Sequence, residues 1–376
     1  MRLVFKAIQK SGPLSKRDLQ RLTGLSWSAV SSIVGLLIES GYVISFGKQT
    51  TTVGRKPDTL DIQTHNWFAI GVELNCIGLN VVVTDLKGTP VIILTRIFTK
   101  NDAQYVWDTL FSLLDNLFRV RLAGKTIIGI GFAVQGVVDS LQGRSLLVTR
   151  IHGWRDIPLR DIIQERYACP TVVMHDTDCL MKAECTVGSP TMSNADNALL
   201  VHMDYTVGLG MSVMINRHIY LGYTGKSGEI GRMLVNVAAP GDPVFLEDYL
   251  SEESLARDFQ KKVPEATEVT CDKLAQAARG GNVEAREVFI SMGEHLGRAL
   301  VNCANVFNPE LIMLNGTLAQ YNDLFLPRTR EILEKYVYEK DTRLEVSKLD
   351  RNGAAHGAAL VMIDEHSNSL ILDAQL

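Results

Sequence analysis

The sequence predicts an α/β chain: a small N-terminal winged helix-turn-helix followed by a larger, two-lobed α/β body. Three observations predict it. Charge divides along the chain: residues 1–60 hold nine Lys and Arg against three Asp and Glu, a net of +6, while the remaining 316 residues carry a net of −10. Apolar spacing in the first 60 residues suits short helices closed by alternating strands. From about residue 65, a β-β-β-α-β-α plan occurs twice. A basic head on an acidic body points to a polyanionic partner for the head. With 46% hydrophobic and 21% charged residues, the chain can bury a core and falls outside the disordered class.

The head begins with Leu3, Val4, Ala7 and Ile8 on one helix face. Ser11-Gly12-Pro13 turns the chain. Ser15 is an N-cap with Asp18 three residues on, close to a capping box, and Leu14 and Leu19 occupy the staple positions. Thr23-Gly24-Leu25 ends that helix. The next starts at Ser26 and turns Val30, Ile33, Val34 and Leu37 to the core. Its other face is small: Ser28, Ser31, Ser32 and Gly35. A helix, a glycine-bearing turn and a second helix make the helix-turn-helix plan. Residues 42–46 and 59–62 read as a wing, with Arg55 and Lys56 near its base or tip. The expected DNA contacts are therefore Lys16, Arg17, Arg55 and Lys56 on phosphates, and Ser26, Trp27, Ser28, Ser31 and Ser32 toward the groove. A protein-interaction module with a solvated face is the other reading of the same pattern.

In the body, strands are expected at 68–74, 80–85, 91–94 and 127–134, with a helix over about 102–121. The plan returns with strands at 198–203, 210–215, 219–220 and 311–314 and a long helix over about 283–307. A cleft between such lobes is a default ligand site. Domain limits are expected at 1–62 for the head and at 63–190 for the first lobe, completed by a C-terminal helix over about 352–376. The second lobe, with dimerisation elements, is expected at 191–351.

The motif order Gly129-Ile130-Gly131-Phe132-Ala133-Val134-Gln135-Gly136, Ile151-His152-Gly153-Trp154, Gly228-Glu229-Ile230-Gly231 and Asn308-Pro309-Glu310 resembles the ROK family over essentially the whole chain. That family groups sugar-responsive repressors with sugar kinases. The resemblance implies an actin-like, ribonuclease-H-like body behind the winged helix. It also implies a carbohydrate or sugar-phosphate effector, operator DNA as a partner, and a homodimer or homotetramer.

Kinases of the family need glycine loops that let backbone N–H groups reach phosphate. Here the first loop reads Glu73-Leu74-Asn75-Cys76-Ile77-Gly78. The second reads Thr206-Val207-Gly208-Leu209-Gly210-Met211-Ser212, with side chains where phosphate would sit. A later Gly-Gly has become Asn315-Gly316. ATP binding, a cofactor and enzymatic activity are therefore not expected. On the sugar side, Asp176 of His175-Asp176 stands where the kinases carry their base. Glu229 matches the sugar-binding Glu, and Glu247 the Glu after the zinc loop.

The family's zinc ligands are replaced. Arg232 stands at the His position, and Ala238 to Pro243 contains no Cys, so no structural zinc is expected. Arg150 replaces a usual Asn. Two readings of these arginines stay open: they recognise an anionic effector, or they neutralise Asp176, Glu229 or Glu247. The six scattered cysteines contain no C-x-x-C pair and read as reduced thiols. The amphipathic start is unlike a signal peptide and no run of about 18 apolar residues occurs, so a cytoplasmic protein with no membrane partner is expected. In the long helix, Gly293 and Gly297 suggest close helix packing or a dimer contact.

Overall fold

The structure is a computed structural model. It describes residues 1–46, 50–51, 54–55, 58–204, 208–236 and 244–370. The chain divides into two compact units. The first holds residues 1–136, 142–174 and 354–376, and the second holds 137–141 and 175–353.

The head belongs to the first unit. Its helices are Arg2–Ser11, Lys16–Thr23 and Trp27–Glu39. Ser15 closes a capping box: the Asp18 N–H donates to Ser15 Oγ at 3.2 Å, and the Ser15 N–H donates to Asp18 Oδ2 at 3.1 Å. Gly24 ends that helix at φ +70°, where a side chain would be strained. The first helix packs differently from the expectation. Val4, Phe5 and Ile8 are buried, and Leu3 is 63% exposed. Phe5 is one step round the helix and enters the core in its place. The wing gains a strand that the periodicity hid: Leu14–Ser15 pairs with Thr59–Ile62, which also pairs with Val43–Ser45. Thr50–Thr51 pairs with Gly54–Arg55. Lys56, and the expectation placed on it, lies outside the described residues.

The first lobe carries a five-stranded sheet in the order Thr171–His175, Thr126–Val134, Trp67–Leu74, Gly78–Asp85 and Pro90–Ile97. The last three strands form an antiparallel meander, and Trp67–Leu74 runs parallel to Thr126–Val134. The helix expected over 102–121 is α-helical only at Ala103–Asn116 and widens to a π-turn at Leu117–Arg121. The C-terminal helix Gly353–Ser369 lies on the glycine-bearing face of this sheet. A Cβ at Gly71 would sit 1.9 Å from the Ala355 carbonyl oxygen, and one at Gly131 would sit 2.1 Å from that of Ala358. Head and lobe share one apolar core, in which Val4, Phe5 and Leu37 join Ile128, Leu360 and Ile363.

The second unit repeats the sheet: Arg343–Val346, Leu311–Asn315, Ala198–Asp204, Gly208–Ile215 and His218–Ile219. Again a three-stranded meander extends through two parallel strands. Both sheets thus have the order 5-4-1-2-3, the duplicated topology expected. The long helix Val283–Phe307 packs on Asn322–Tyr336, with Gly293 against the Phe325 backbone and Gly297 against Ile332. These two glycines serve a contact inside the unit. The break between units falls after Met174, so the helix Asp176–Val187, read from the sequence as part of the first lobe, lies in the second unit.

Candidate functional sites

The DNA-facing side chains follow from the head's caps. The Ser26 hydroxyl accepts the Ala29 N–H at 3.2 Å and lies 3.0 Å from Ser28 Oγ. This starts the helix Trp27–Glu39 with Val30, Val34 and Leu37 inward. Trp27, Ser28, Ser32 and Gly35 are exposed, and Ser31 is half-buried. On the preceding helix Arg17 is exposed and Lys16 half-buried, while Arg21 is tied to Asp18 at 3.2 Å. Arg55 lies in the short hairpin.

The second unit brings together most of the carboxylates expected at the ligand site. His175 caps the helix Asp176–Val187, its Nδ1 lying 2.6 Å from Thr177 Oγ1 and 3.1 Å from Asp176 Oδ1. Asp176 is 5% exposed and accepts the Thr177 N–H at 2.7 Å. The neighbouring strand approaches this helix start at Gly210, where a Cβ would lie 3.0 Å from Thr177 Cγ2 and 3.4 Å from His175 Cε1. Further along that strand, Met211 is buried in the unit's core. Its carbonyl oxygen would be 1.8 Å from a Cβ at Gly228, which holds φ +89° beside Glu229. Glu229 is exposed. Arg232 Nη1 donates to Glu247 Oε1 at 3.1 Å, and its guanidinium lies 3.8 Å from the centre of the Phe245 ring. Gly231 leaves room for Glu247, whose Oε2 would be 3.1 Å from a Cβ there. Glu229, Arg232 and Glu247 thus share one corner, linked by the strand Gly208–Ile215 to the start of the Asp176 helix. Arg150 belongs to the first unit, exposed and at φ +73°.

Sequence reasoning missed two features of the second unit. Asp178 is 6% exposed and accepts Ser212 Oγ at 2.6 Å. Burial pushes its carboxyl up to about 6, against the pull of Ser212 and His175. An Asp in a first helical turn reads from sequence as a partner of the helix dipole, and nothing local says that it is enclosed. The second feature is a polar chain at the degraded nucleotide motif. His202 Nδ1 lies 2.9 Å from Asn315 Oδ1, Asn315 Nδ2 donates to Ser347 Oγ at 2.8 Å, and Ser347 Oγ donates to the fully buried Glu184. Beside it, Thr317 Oγ1 donates to Asp204 Oδ2 at 2.9 Å. Of the second phosphate loop, Thr206 and Val207 lie outside the described residues, as does the Ala238–Pro243 segment read against the zinc loop. Among the described residues no group of three His, Cys, Asp or Glu is placed to hold a metal ion. Among them also, no single helix is long and apolar enough to cross a membrane.

In the first unit, the Trp154 of Ile151-His152-Gly153-Trp154 is a packing residue. It is buried, its Nε1–H donates to Ser145 Oγ at 2.8 Å, and its ring lies 5.1 Å from that of Trp107.

Residues 70–365 match the model of the ROK family, and residues 2–44 match a winged helix-turn-helix DNA-binding model. The chain is 29% identical to the xylose repressor of Bacillus subtilis over 371 residues, covering 96% of this chain and 94% of that protein. It is 24% identical to the DNA-binding transcriptional repressor Mlc of Escherichia coli over 388 residues, covering 98% and 94%. Among solved structures, it superposes on a ROK family transcriptional regulator described as a homolog of E. coli Mlc with a TM-score of 0.86 at 22% identity, covering 99% of this chain and 97% of that one. A ROK family glucokinase from Streptomyces griseus, in complex with glucose and AMPPNP, matches with a TM-score of 0.65 at 21% identity, covering 78% and 98%. These likenesses bear on the fold.

Proposed function

The chain belongs to the ROK family, and from that premise we propose that it is a sugar-responsive transcriptional repressor rather than a kinase. The observation that carries the reading is the head: a capped helix-turn-helix whose exposed face is reduced to an indole, hydroxyls and a glycine, on a segment of net charge +6. Named repressors of xylose and glucose-type systems among its full-length relatives support it. Lys16, Arg17, Arg55 and Lys56 would bind phosphates and set register, without reading sequence. A homodimer would set two recognition helices about 34 Å apart, one helical turn of DNA, and so select a palindromic operator.

The effector in this reading is a neutral monosaccharide held by Asp176, Glu229 and Glu247, whose carboxylates accept sugar hydroxyls. The Arg232–Glu247 pair supports a charge-balancing role for that arginine. His175 orients the start of the Asp176 helix, and Arg150 is proposed as a further polar contact. Release from DNA requires that the sugar bind the DNA-competent and DNA-incompetent states unequally.

Fluorescence anisotropy with a selected operator duplex and a panel of neutral and phosphorylated sugars tests this. A neutral sugar should release the wild-type protein. Asp176→Asn should hold DNA with unchanged affinity and require at least about tenfold more sugar, the loss of one charged hydrogen bond. Tighter binding of every phosphorylated sugar than of its neutral parent would favour the anionic effector. The kinase reading rests on the retained Asp176, and ATP turnover with any sugar of the panel would establish it.

A further inference from the structure

The recognition helix Trp27–Glu39 reads WSAVSSIVGLLIE and contains no arginine, lysine, asparagine or glutamine. Those are the side chains that form bidentate bonds with guanine and adenine edges in the major groove. What this helix turns outward is different. Trp27, in the first turn, is 49% exposed. Ser28 and Ser32 are exposed, and a side chain at Gly35 would meet open space. The first turn of a recognition helix is the part that meets base edges. The nearby cations Lys16 and Arg17 sit on the preceding helix and suit phosphates, which carry no sequence information.

Hydroxyls donate and accept equally well and bond to either kind of edge. The discriminating group on this face is therefore the indole. The apolar group that the major groove offers it is the C5-methyl of thymine. A large ring on a face otherwise made of serines and glycine also projects beyond its neighbours, so the helix can approach until the ring meets the groove floor.

We infer that Trp27 is the specificity-determining residue of the head and that it selects thymines through their C5-methyl groups. This rests on the DNA-binding reading above and adds how the operator is read. The half-site is then rich in A·T pairs with thymines facing the start of the helix.

The test uses the full chain. Duplexes are selected from a random library, and affinity is measured for the selected duplex with each thymine replaced in turn by deoxyuridine, which pairs identically but lacks the methyl. Replacement at the contacted positions should weaken wild-type binding about fourfold per methyl, as burial of one such group implies. Trp27→Ala should bind the thymine duplex more weakly and lose the thymine-over-deoxyuridine preference. Trp27→Phe should keep part of that preference, which separates contact from misfolding. The salt dependence of all three proteins should share one slope, because Trp27 neutralises no phosphate. Equal wild-type affinity for thymine and deoxyuridine duplexes overturns the inference while leaving DNA binding intact. So does full retention of the preference in Trp27→Ala, with the indole then serving another contact. Failure to enrich any sequence removes the DNA-binding reading as well.

Discussion

Asp178 is held where water cannot stabilise its charge. Ser212 is its hydrogen-bond donor, and burial raises its carboxyl to about 6, against an ordinary value near 3.9. The folded state therefore keeps this proton over a pH range in which the unfolded chain has released it. Stability contributed here falls as pH rises from about 4 to about 6, and above that the enclosed charge costs about 3 kcal/mol. Asp178→Asn removes the titration and keeps the shape. Urea denaturation at pH 4 and pH 7 should show the variant gaining roughly 2–3 kcal/mol on the wild type between the two. An unchanged difference would mean that Asp178 reaches solvent. The neighbouring Asp176, also buried, is the residue that the sequence singled out. Both lie in one helical turn, and only the three-dimensional setting separates them by hydrogen-bond partner. Arg232 makes the same point. Its position was legible as a departure from the family's His, but its pairing with Glu247 and its place over Phe245 depend on a loop closing 15 residues on.

Elements defined by neighbours within a turn were legible. The Ser15–Asp18 capping box, the Gly24 stop and the Ser26 cap use groups within three residues of each other, so spacing alone specifies them. Elements defined by distant partners were not. Leu14–Ser15 is a strand only because Thr59–Ile62 pairs with it, and the π-turn at Leu117–Arg121 has no sequence marker in the reading above. The C-terminal helix is the clearest case. Its alanines suit close approach, but which sheet it covers depends on Gly71 and Gly131, more than 200 residues earlier in the chain. Because the obstructing atoms are backbone, Gly71→Ala cannot be absorbed by a rotamer change. It should cost at least about 3 kcal/mol, the upper range for overpacking, measured by chemical denaturation. A cost below about 1 kcal/mol would show the helix free to slide on the sheet.

Within the first unit, the head is anchored to the lobe. Tyr42 stacks 4.4 Å from Trp67, and its hydroxyl lies 3.0 Å from His366 Nε2 on the C-terminal helix. Lys6 pairs with Asp364 at 3.1 Å, and Lys87 with Asp61 at 2.7 Å. The head's core is thus continuous with the lobe's, and a movement of that lobe carries the recognition helix with it. The head's charge remains its own. Lys16→Ala should weaken binding about equally on all duplexes and lower the slope of log affinity against log salt by about 1, the signature of one lost phosphate contact. Anisotropy titrations at several salt concentrations measure it, and a sequence-dependent loss would place Lys16 on a base instead. By itself the sequence determined the helix-turn-helix, the duplicated α/β plan, the split of charge and the motifs shared with the ROK family. Each of these is written in short-range spacing or in summed composition. The tertiary structure alone decided which carboxylate is enclosed, which arginine is paired, and that the first 60 residues share a core with the last helix. Burial and pairing are set by groups hundreds of residues apart, and no local pattern encodes which of them meet.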